Sequence, residues 1–277
     1  MGLFSRRPVV PVVRLTGAIG MAAPLRPGLS LGTVASALQS AFTMSRQNSV
    51  AILINSPGGS PVQSSLIFKR IRQLADERKK KVYVFCEDVA ASGGYYLAVA
   101  GDEIYADASS IVGSIGVITA GFGLHKAIER LGIERRVYTA GESKMTLDPF
   151  QPEKEDDVAR LKAIQKAVHD VFIGVVKDRR EGRLKGTDQQ LFSGAFWSAL
   201  QAQELGLIDG ISDVRTKMRE LHGEKVVLRL VPHASGGLLA RLRKPPSIGA
   251  GGNFALASAD DLVSALEERA LWARYGL

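Results

Sequence analysis

Residues 50–60 read VAILINSPGGS, and the fold class can be inferred from them. Its first five residues form a short continuous apolar run rich in β-branched side chains, and turn residues follow it directly. Such a run is typical of a strand buried on both faces of a parallel sheet. Pro61 then begins a pattern in which apolar residues recur every three or four positions as far as Leu74, as expected for a helix. Strand, glycine turn and helix in this order predict one unit of an α/β domain.

The same alternation continues on both sides of this unit. Strands are predicted over residues 9–19, 82–86, 104–106, 116–119 and 225–231, and helices over residues 31–42, 92–100, 153–180 and 214–221. Because strands alternate with helices, the fold class is α/β with a mostly parallel sheet.

The composition changes after the last predicted strand. Residues 233–253 are rich in Gly, Pro and Ser and carry a few basic residues, which indicates a flexible basic linker. Residues 254–277 follow as a predicted amphipathic helix. We therefore expect a folded domain over residues 1–232, the linker over residues 233–253, and a terminal helix over residues 254–277. The helix is expected to dock on a neighbouring subunit, since isolated helices of this length are marginal in water.

The overall composition excludes several classes of protein. The chain has 277 residues, of which 45% are hydrophobic, so it is not a disordered protein. Cys86 is the single cysteine and the four histidines are scattered, which argues against disulfide stapling and against a metal site. The net charge of +8 comes without interleaved aromatic and basic residues, so nucleic acid is not expected as a partner. No signal peptide or membrane-spanning run is recognised, and we expect a cytoplasmic protein.

Three glycine-bearing turns carry the candidate chemistry. The first, residues 55–60, can point backbone N–H groups into a cleft, as an oxyanion hole or a phosphate-binding loop does. It lacks the Gly-Lys-Ser/Thr ending of a nucleotide-binding P-loop, so nucleotide binding is disfavoured. A plain β–α turn is the alternative from the local sequence.

The second and third turns each surround a serine with small residues. Residues 90–96 read AASGGYY, which would expose the hydroxyl of Ser92 at a helix N-terminus and leave room for an incoming carbonyl. A simple N-cap is the alternative for this serine. Residues 113–117 read GSIGV and place Ser114 in the same kind of surroundings, with a small-residue turn as the alternative.

In order and spacing, these three motifs resemble those of the signal peptide peptidase A (protease IV) family. The likeness covers roughly residues 10–222, and the segment 193–209 also resembles the end of that family's catalytic domain. The resemblance implies a Clp protease/crotonase-type ββα superhelix with a mostly parallel sheet. It also implies that Ser92 is the nucleophile of a serine peptidase.

The resemblance further implies a lysine as the general base. The family carries it in a Gly-x-x-Lys segment shortly before Pro-Phe, and here residues 141–144 read GESK with Pro149 and Phe150 following. Lys144 would have to be desolvated, since a lysine ordinarily titrates near pH 10.4 and is protonated at neutral pH. Ser114 corresponds to the serine that orients this lysine. From the local sequence alone, Lys144 remains open to the alternative of a solvated loop lysine.

The remaining site residues come from the glycine turns. The N–H groups of Gly58 and Gly93 are predicted to form the oxyanion hole, and Gly59, Ser60 and Gly94 to line the substrate groove. No metal or other cofactor is expected. The tyrosines of the second turn are expected to be packing residues, and His169 is expected to be a surface or packing histidine.

The predicted function is a Ser–Lys serine endopeptidase that cleaves unfolded or membrane-derived, signal-peptide-like peptides. By resemblance, it is expected to form a homo-oligomer, either a dimer or a ring. Many relatives carry a membrane anchor that this sequence does not show. A peripheral contact with the inner membrane through the basic linker therefore stays open beside a solvated linker. Two rival functions remain: a crotonase-like acyl-CoA hydratase or isomerase, and a catalytically silent peptide-binding scaffold.

Overall fold

The computed structural model describes residues 7–21, 28–141, 143–233 and 259–277, with side chains of the last range described from Leu266 onward. The strands are β1 Val9–Thr16, β2 Ser49–Ser56, β3 Lys81–Ala91, β4 Glu103–Ala106, β5 Ile111–Gly113, β6 Phe196–Ser198, β7 Gly210–Ile211 and β8 Val227–Leu230. The helices are α1 Leu31–Met44, α2 Pro61–Arg78, α3 Gly93–Ala98, α4 His125–Arg130, α5 Glu155–Arg179, α6 Asp188–Leu191, α7 Ala199–Glu204, α8 Val214–His222 and α9 Ala259–Ala273.

The strands form one mostly parallel sheet, which confirms the predicted fold class. The order along the sheet is β6-β5-β3-β2-β1-β8, with β4 also pairing β3 and β7 pairing β4. Every pairing is parallel except that of β5 with β6. The long central strand β3 pairs β4 with its first half and β5 with its second half. The second half leads directly into Ser92.

Helices α1, α2 and α3 cover one face of this sheet and enclose the main core. The core contains the apolar side chains that the sequence placed on strands and helix faces, among them Ile52, Ile54, Ile71, Val84 and Leu97. A smaller cluster on the opposite face contains Val12, Tyr83, Phe85, Tyr105 and Met218, the last from α8. Because both faces of β2 and β3 are covered, those strands are continuous apolar runs rather than alternating ones.

One predicted strand is misplaced. Residues 116–119 were expected to be extended, but the strand in this region is β5, and it ends at Gly113. Gly113 and Ser114 have φ angles of +112° and +52°, which turn the chain away from the sheet. The apolar residues that follow are therefore in an irregular segment at the edge of the sheet.

Residues 118–141 and 143–154 project from the domain as an arm, which includes the short helix α4. Almost every described residue of this arm is exposed or half-buried, including several large apolar ones. Helix α5 has buried side chains only toward its C-terminal end, at Phe172 and Val176. The predicted linker lies outside the described residues apart from His233. Among the described residues, no helix is both long and apolar enough to cross a membrane.

Candidate active site

Ser92 lies at the junction between β3 and α3 and has a backbone conformation that is rare for a residue with a side chain. Its φ and ψ angles are +52° and −122°. The conformation is held because the Ser92 N–H donates to the carbonyl oxygen of Gly113 at 2.8 Å, while its own carbonyl accepts from Tyr96 at the first turn of α3. Strained residues of this kind cluster at active sites, where the surrounding structure fixes them. The Ser92 side chain lines two cavities.

The Pro-Gly-Gly turn packs directly against this serine. A Cβ atom on Gly58 would lie 2.7 Å from the Cβ of Ser92 and 2.9 Å from the nitrogen of Gly93, so only glycine fits there. The Gly58 N–H donates to the hydroxyl of Ser56 at 3.2 Å, and that hydroxyl donates to the carbonyl of Gly17 at 2.7 Å. The turn and the nucleophile candidate are thus one packed unit.

Gly59 and Gly94 also fit their positions only because they lack a side chain. A Cβ atom on Gly59 would lie 2.2 Å from the carbonyl oxygen of Ile19, and one on Gly94 would lie 2.4 Å from that of Ser56. Gly59 lines a cavity with Ser92, whereas Gly94 is buried behind it. The predicted role of these glycines in the substrate groove therefore fits Gly59 better than Gly94.

The other predicted residues divide into two groups. Ser60 is the N-cap of α2, where its hydroxyl accepts from the backbone N–H of Gln63. Ser114 is buried beside the site; its backbone N–H donates to the carbonyl of Ala195 at 2.7 Å, and it lines a cavity together with Ser92. The structure thus gives Ser60 a structural role and places Ser114 within the candidate active site.

The first cavity beside Ser92, here called the apolar pocket, has a volume of about 60 Å³. Its walls include Tyr96 from α3 and Val168, Val171 and Phe172 from α5. The rings of Tyr96 and Phe172 pack with their centroids 5.0 Å apart, which fixes α5 against α3. This pocket can hold an apolar side chain.

The second cavity, here called the polar cavity, has a volume of about 370 Å³. It lies on the side of Ser92 where Ser114, His169, Ser193 and Arg274 contribute to the walls. The Nε2 of His169 lies 3.0 Å from the carbonyl oxygen of Ile115 and donates to it, since a carbonyl can only accept. His169 therefore takes part in the wall of the site, although the sequence favoured a surface or packing role for it.

Lys144 is the one predicted catalytic residue that lies apart from the others. It is exposed on the arm, and it lines neither of the cavities beside Ser92. Its loop is held by an ion pair between Arg135 and Asp148 and by the packing of Arg135 on the ring of Phe150. The structure therefore brings Ser92, Ser114 and the glycines together, and the Ser–Lys dyad stays a prediction.

Several residues of the site were not recognised from the sequence. The α5 residues of the apolar pocket were predicted only as part of a helix, and Arg274 was not singled out. The only available signal was the apolar periodicity of α5, which does not distinguish core packing from the wall of a binding pocket.

Tyr95 and Cys86 are buried in the main core. Burial raises the pKa of the Cys86 thiol to about 12, so this cysteine is not an alternative nucleophile.

The comparison with family models gives a direct match at residues 75–227, to peptidase family S49. This chain belongs to peptidase family S49. The matched range includes Ser92, Ser114 and Lys144, and it leaves out the Pro-Gly-Gly turn, which belongs to the same site in the structure.

The chain matches parts of longer proteins. The chain is 54% identical over 275 residues to a protein named Na(+)/H(+) antiporter NhaA from Brucella abortus, covering 97% of this chain but 37% of that protein. It is 29% identical to the serine protease SPPA, chloroplastic, of Arabidopsis thaliana, covering 76% of this chain and 32% of that protein. The S49 chain thus spans about a third of the length of these two relatives.

A solved structure supports the fold of the S49 chain. A point mutant of the 1510-N membrane-bound stomatin-specific protease aligns with a TM-score of 0.50 and 15% identity, covering 82% of this chain and 99% of that one. A likeness at this level of identity concerns the fold alone. It agrees with the mostly parallel α/β sheet described above.

Proposed function

We propose that this S49 protein is a serine endopeptidase with Ser92 as its nucleophile. The observation that carries the proposal is the strained backbone of Ser92, which is held between the Gly113 carbonyl and the Pro-Gly-Gly turn at the meeting point of two cavities. An N-cap serine needs neither the positive φ angle nor the glycine packed against its Cβ, because a cap residue ordinarily has an extended backbone.

In the proposed reaction, the Ser92 hydroxyl attacks the carbonyl carbon of the scissile peptide bond. Its proton passes to the neutral amine of Lys144, which then gives a proton to the leaving nitrogen as the C–N bond breaks. A water molecule hydrolyses the resulting acyl-enzyme with Lys144 again acting as base. Ser114 would accept a hydrogen bond from the lysine and aim it at Ser92.

The negative oxygen of the tetrahedral intermediate needs two N–H donors close to Ser92. Gly93 supplies one in this proposal, as the residue after the nucleophile. Gly58 was predicted to supply the other, but its N–H donates to Ser56. The adjacent Gly59 lines the apolar pocket, and among the described residues its N–H has no hydrogen-bond acceptor. We therefore propose Gly59 as the second donor and Gly58 as the residue that allows the close packing.

For this chemistry, the Lys144 amine must come within hydrogen-bond reach of the Ser92 and Ser114 hydroxyls. The arm that carries it exposes large apolar side chains at Phe122, Leu131 and Tyr138, and exposed apolar surface of this kind marks an interaction site. We propose that the protein assembles into a homo-oligomer through this arm. In the assembly the arm packs against a neighbouring copy, and the Lys144 amine is desolvated beside Ser114.

The substrates proposed are unfolded or membrane-derived peptides. An extended peptide can lie along the irregular segment after Ser114 and place one apolar side chain in the apolar pocket. The small volume of this pocket favours a side chain of modest size. We place the enzyme in the cytoplasm, at or near the inner membrane, which cell fractionation with an antibody would test.

The test of this function uses the full chain with casein as an unstructured substrate. We expect Ser92→Ala and Lys144→Ala each to reduce cleavage at least 10³-fold, on the order of the loss when a member of a catalytic unit is removed. Ser109→Ala and Lys69→Ala serve as matched controls and are expected to keep full activity, since both residues are exposed, lie outside the arm and line neither cavity.

A fluorophosphonate probe identifies the nucleophile independently. We expect mass spectrometry to find the label on Ser92 and no label in Ser92→Ala, with unchanged thermal unfolding to show that the variant folds. Full cleavage by both catalytic variants would refute the dyad. A wild-type protein that binds casein without cleaving it would instead be the peptide-binding scaffold, and one that binds coenzyme A esters would favour the crotonase-like alternative.

A further inference from the structure

The two cavities beside Ser92 differ in their chemistry. The apolar pocket is walled mainly by carbon atoms of Tyr96, Val168 and Phe172. The polar cavity contains hydroxyl groups from Ser114 and Ser193, the imidazole of His169, and Arg274. Because both cavities share Ser92, a peptide bound at this serine would meet apolar surface on one side and polar surface on the other.

Arg274 is held at the polar cavity by its neighbour in sequence. Tyr275 is only 7% exposed and packs edge-on against Phe196, with ring centroids 5.1 Å apart. Tyr275 also belongs to a cluster with Val89 and Ala91, which lie in the part of β3 that leads into Ser92. The guanidinium carbon of Arg274 lies 6.0 Å from the Tyr275 ring. The segment after α9 is therefore a packed part of the wall.

Arg274 gives the polar cavity its charge. No Asp or Glu is among the described residues that line this cavity, and Arg274 forms no salt bridge with any carboxylate in the described part of the chain. The imidazole of His169 is fixed by its hydrogen bond to Ile115, which leaves its Nδ1 as a further polar atom. A guanidinium beside hydroxyl groups suits a carboxylate, which can accept several hydrogen bonds at once.

We propose that the polar cavity is a subsite for an acidic side chain of the substrate peptide and that Arg274 is its specificity-determining residue. The acidic residue lies on the opposite side of the scissile bond from the apolar residue that occupies the apolar pocket. This inference rests on the proposed peptidase function of Ser92. It adds a preference for Asp or Glu that the function alone does not require.

The size of the preference follows from the exposure of Arg274. An ion pair that remains accessible to water contributes modestly, so we expect a Glu substrate to be favoured over its Gln counterpart by about two- to fivefold in kcat/KM. The preference should shrink in about 1 M salt, where the screening length falls to about 3 Å.

The experiment begins with a cleavage site that the wild-type protein uses in casein, located by mass spectrometry. Peptides spanning it are made with Glu, Gln or Lys at each of the first three positions after the scissile bond. We expect Glu to be preferred and Lys to be disfavoured at one of these positions. Arg274→Gln should abolish the difference between Glu and Gln, and Arg274→Glu should invert the preference toward Lys. Arg269→Gln changes an exposed arginine of α9, the helix that directly precedes Arg274; it is the matched control and should keep the preference.

Binding of the same peptides to Ser92→Ala, followed by fluorescence anisotropy, separates the subsite from the chemistry. Equal kcat/KM for Glu and Gln peptides, or a preference that survives in Arg274→Gln, would overturn the inference and leave the peptidase function intact. If the wild type cleaves no peptide and Ser92 is not labelled, the proposed function fails. In that case, tighter binding of the Glu peptides that depends on Arg274 would still support the subsite, and equal binding would refute it.

Discussion

The roles of single residues in this site depend on contacts that their neighbours in sequence do not reveal. Ser60 and Ser92 both precede helices and both follow apolar strands. Ser60 caps α2, whereas Ser92 has a positive φ angle and faces two cavities. The difference arises because β5 supplies the Gly113 carbonyl that holds the Ser92 backbone. The contact with β5 is therefore what distinguishes the candidate nucleophile Ser92 from the capping serine Ser60.

Two helical glycines give a prediction at the residue scale. Gly174 lies in α5 with open space around its Cα, whereas a Cβ atom on Gly94 would lie 2.4 Å from the Ser56 carbonyl oxygen. We expect Gly174→Ala to stabilise the protein by about 0.5–1 kcal/mol through helix propensity. Gly94→Ala should destabilise it by about 1–3 kcal/mol because the backbone must shift to relieve the clash. Urea unfolding measures both, and changes of the same sign would contradict this packing.

At the scale of elements, a network of arginines fixes the end of α5 to the sheet. Arg179 donates to the carbonyls of Val99 and Gly101, and Arg180 donates to the carbonyl of Gly206 and to Asp209. Since the other parts of α5 form the wall of the apolar pocket, this network sets the position of that wall relative to Ser92.

Arg180 provides the prediction for this element. Its side chain is 1% exposed, and removal of one member of a buried ion pair leaves the partner without compensation. We expect Arg180→Ala to lower the free energy of unfolding by about 3–5 kcal/mol. Arg183→Ala is the control, because Arg183 contacts the same Asp209 but is 44% exposed, and it should cost about 1 kcal/mol or less. Similar losses in the two variants, measured by denaturant unfolding, would argue against the buried network.

At the scale of the whole molecule, the arm and the sheet differ in how they are stabilised. The sheet has a continuous core, while the arm leaves Phe122 84% and Tyr138 90% exposed. Apolar side chains on a projecting segment bury little surface against the domain that carries them, so they contribute little to its stability. Burial of the same side chains against another copy would be favourable, which is why we expect the oligomer to form there.

The oligomer prediction is tested by changing the arm alone. We expect the double variant Leu131→Asp, Tyr138→Ser to sediment as a smaller species than the wild type and to lose casein cleavage. Leu200→Asp changes an exposed leucine outside the arm and should affect neither property. Analytical ultracentrifugation measures the assembly, and an unchanged sedimentation coefficient in the double variant would place the interface elsewhere.

Much of the fold could be predicted because it depends on patterns local in the chain. The buried strands β2 and β3 and the helix after Pro61 are continuous stretches, and their boundaries lie within a few residues of the expected ones apart from the C-terminal extension of β3. The strand predicted at residues 116–119 was wrong. The β-branched residues there favour a strand, but the turn at Gly113 and Ser114 directs the chain away from the sheet before it reaches them. The apolar periodicity of residues 153–180 predicted helix α5 but not its role as a pocket wall, because periodicity does not show what a helix face contacts.

The parallel α/β fold, the glycine turns and the candidate nucleophile could be predicted from the sequence, since each depends on a pattern of consecutive residues. Only the tertiary structure decided that Ser92 lies between an apolar and a polar cavity, that α5 and Arg274 form their walls, and that the Gly58 N–H is already occupied by Ser56. These properties depend on residues far apart in the chain that the sheet brings together. The position of the Lys144 amine in the proposed assembly likewise depends on the tertiary and quaternary contacts of the exposed arm.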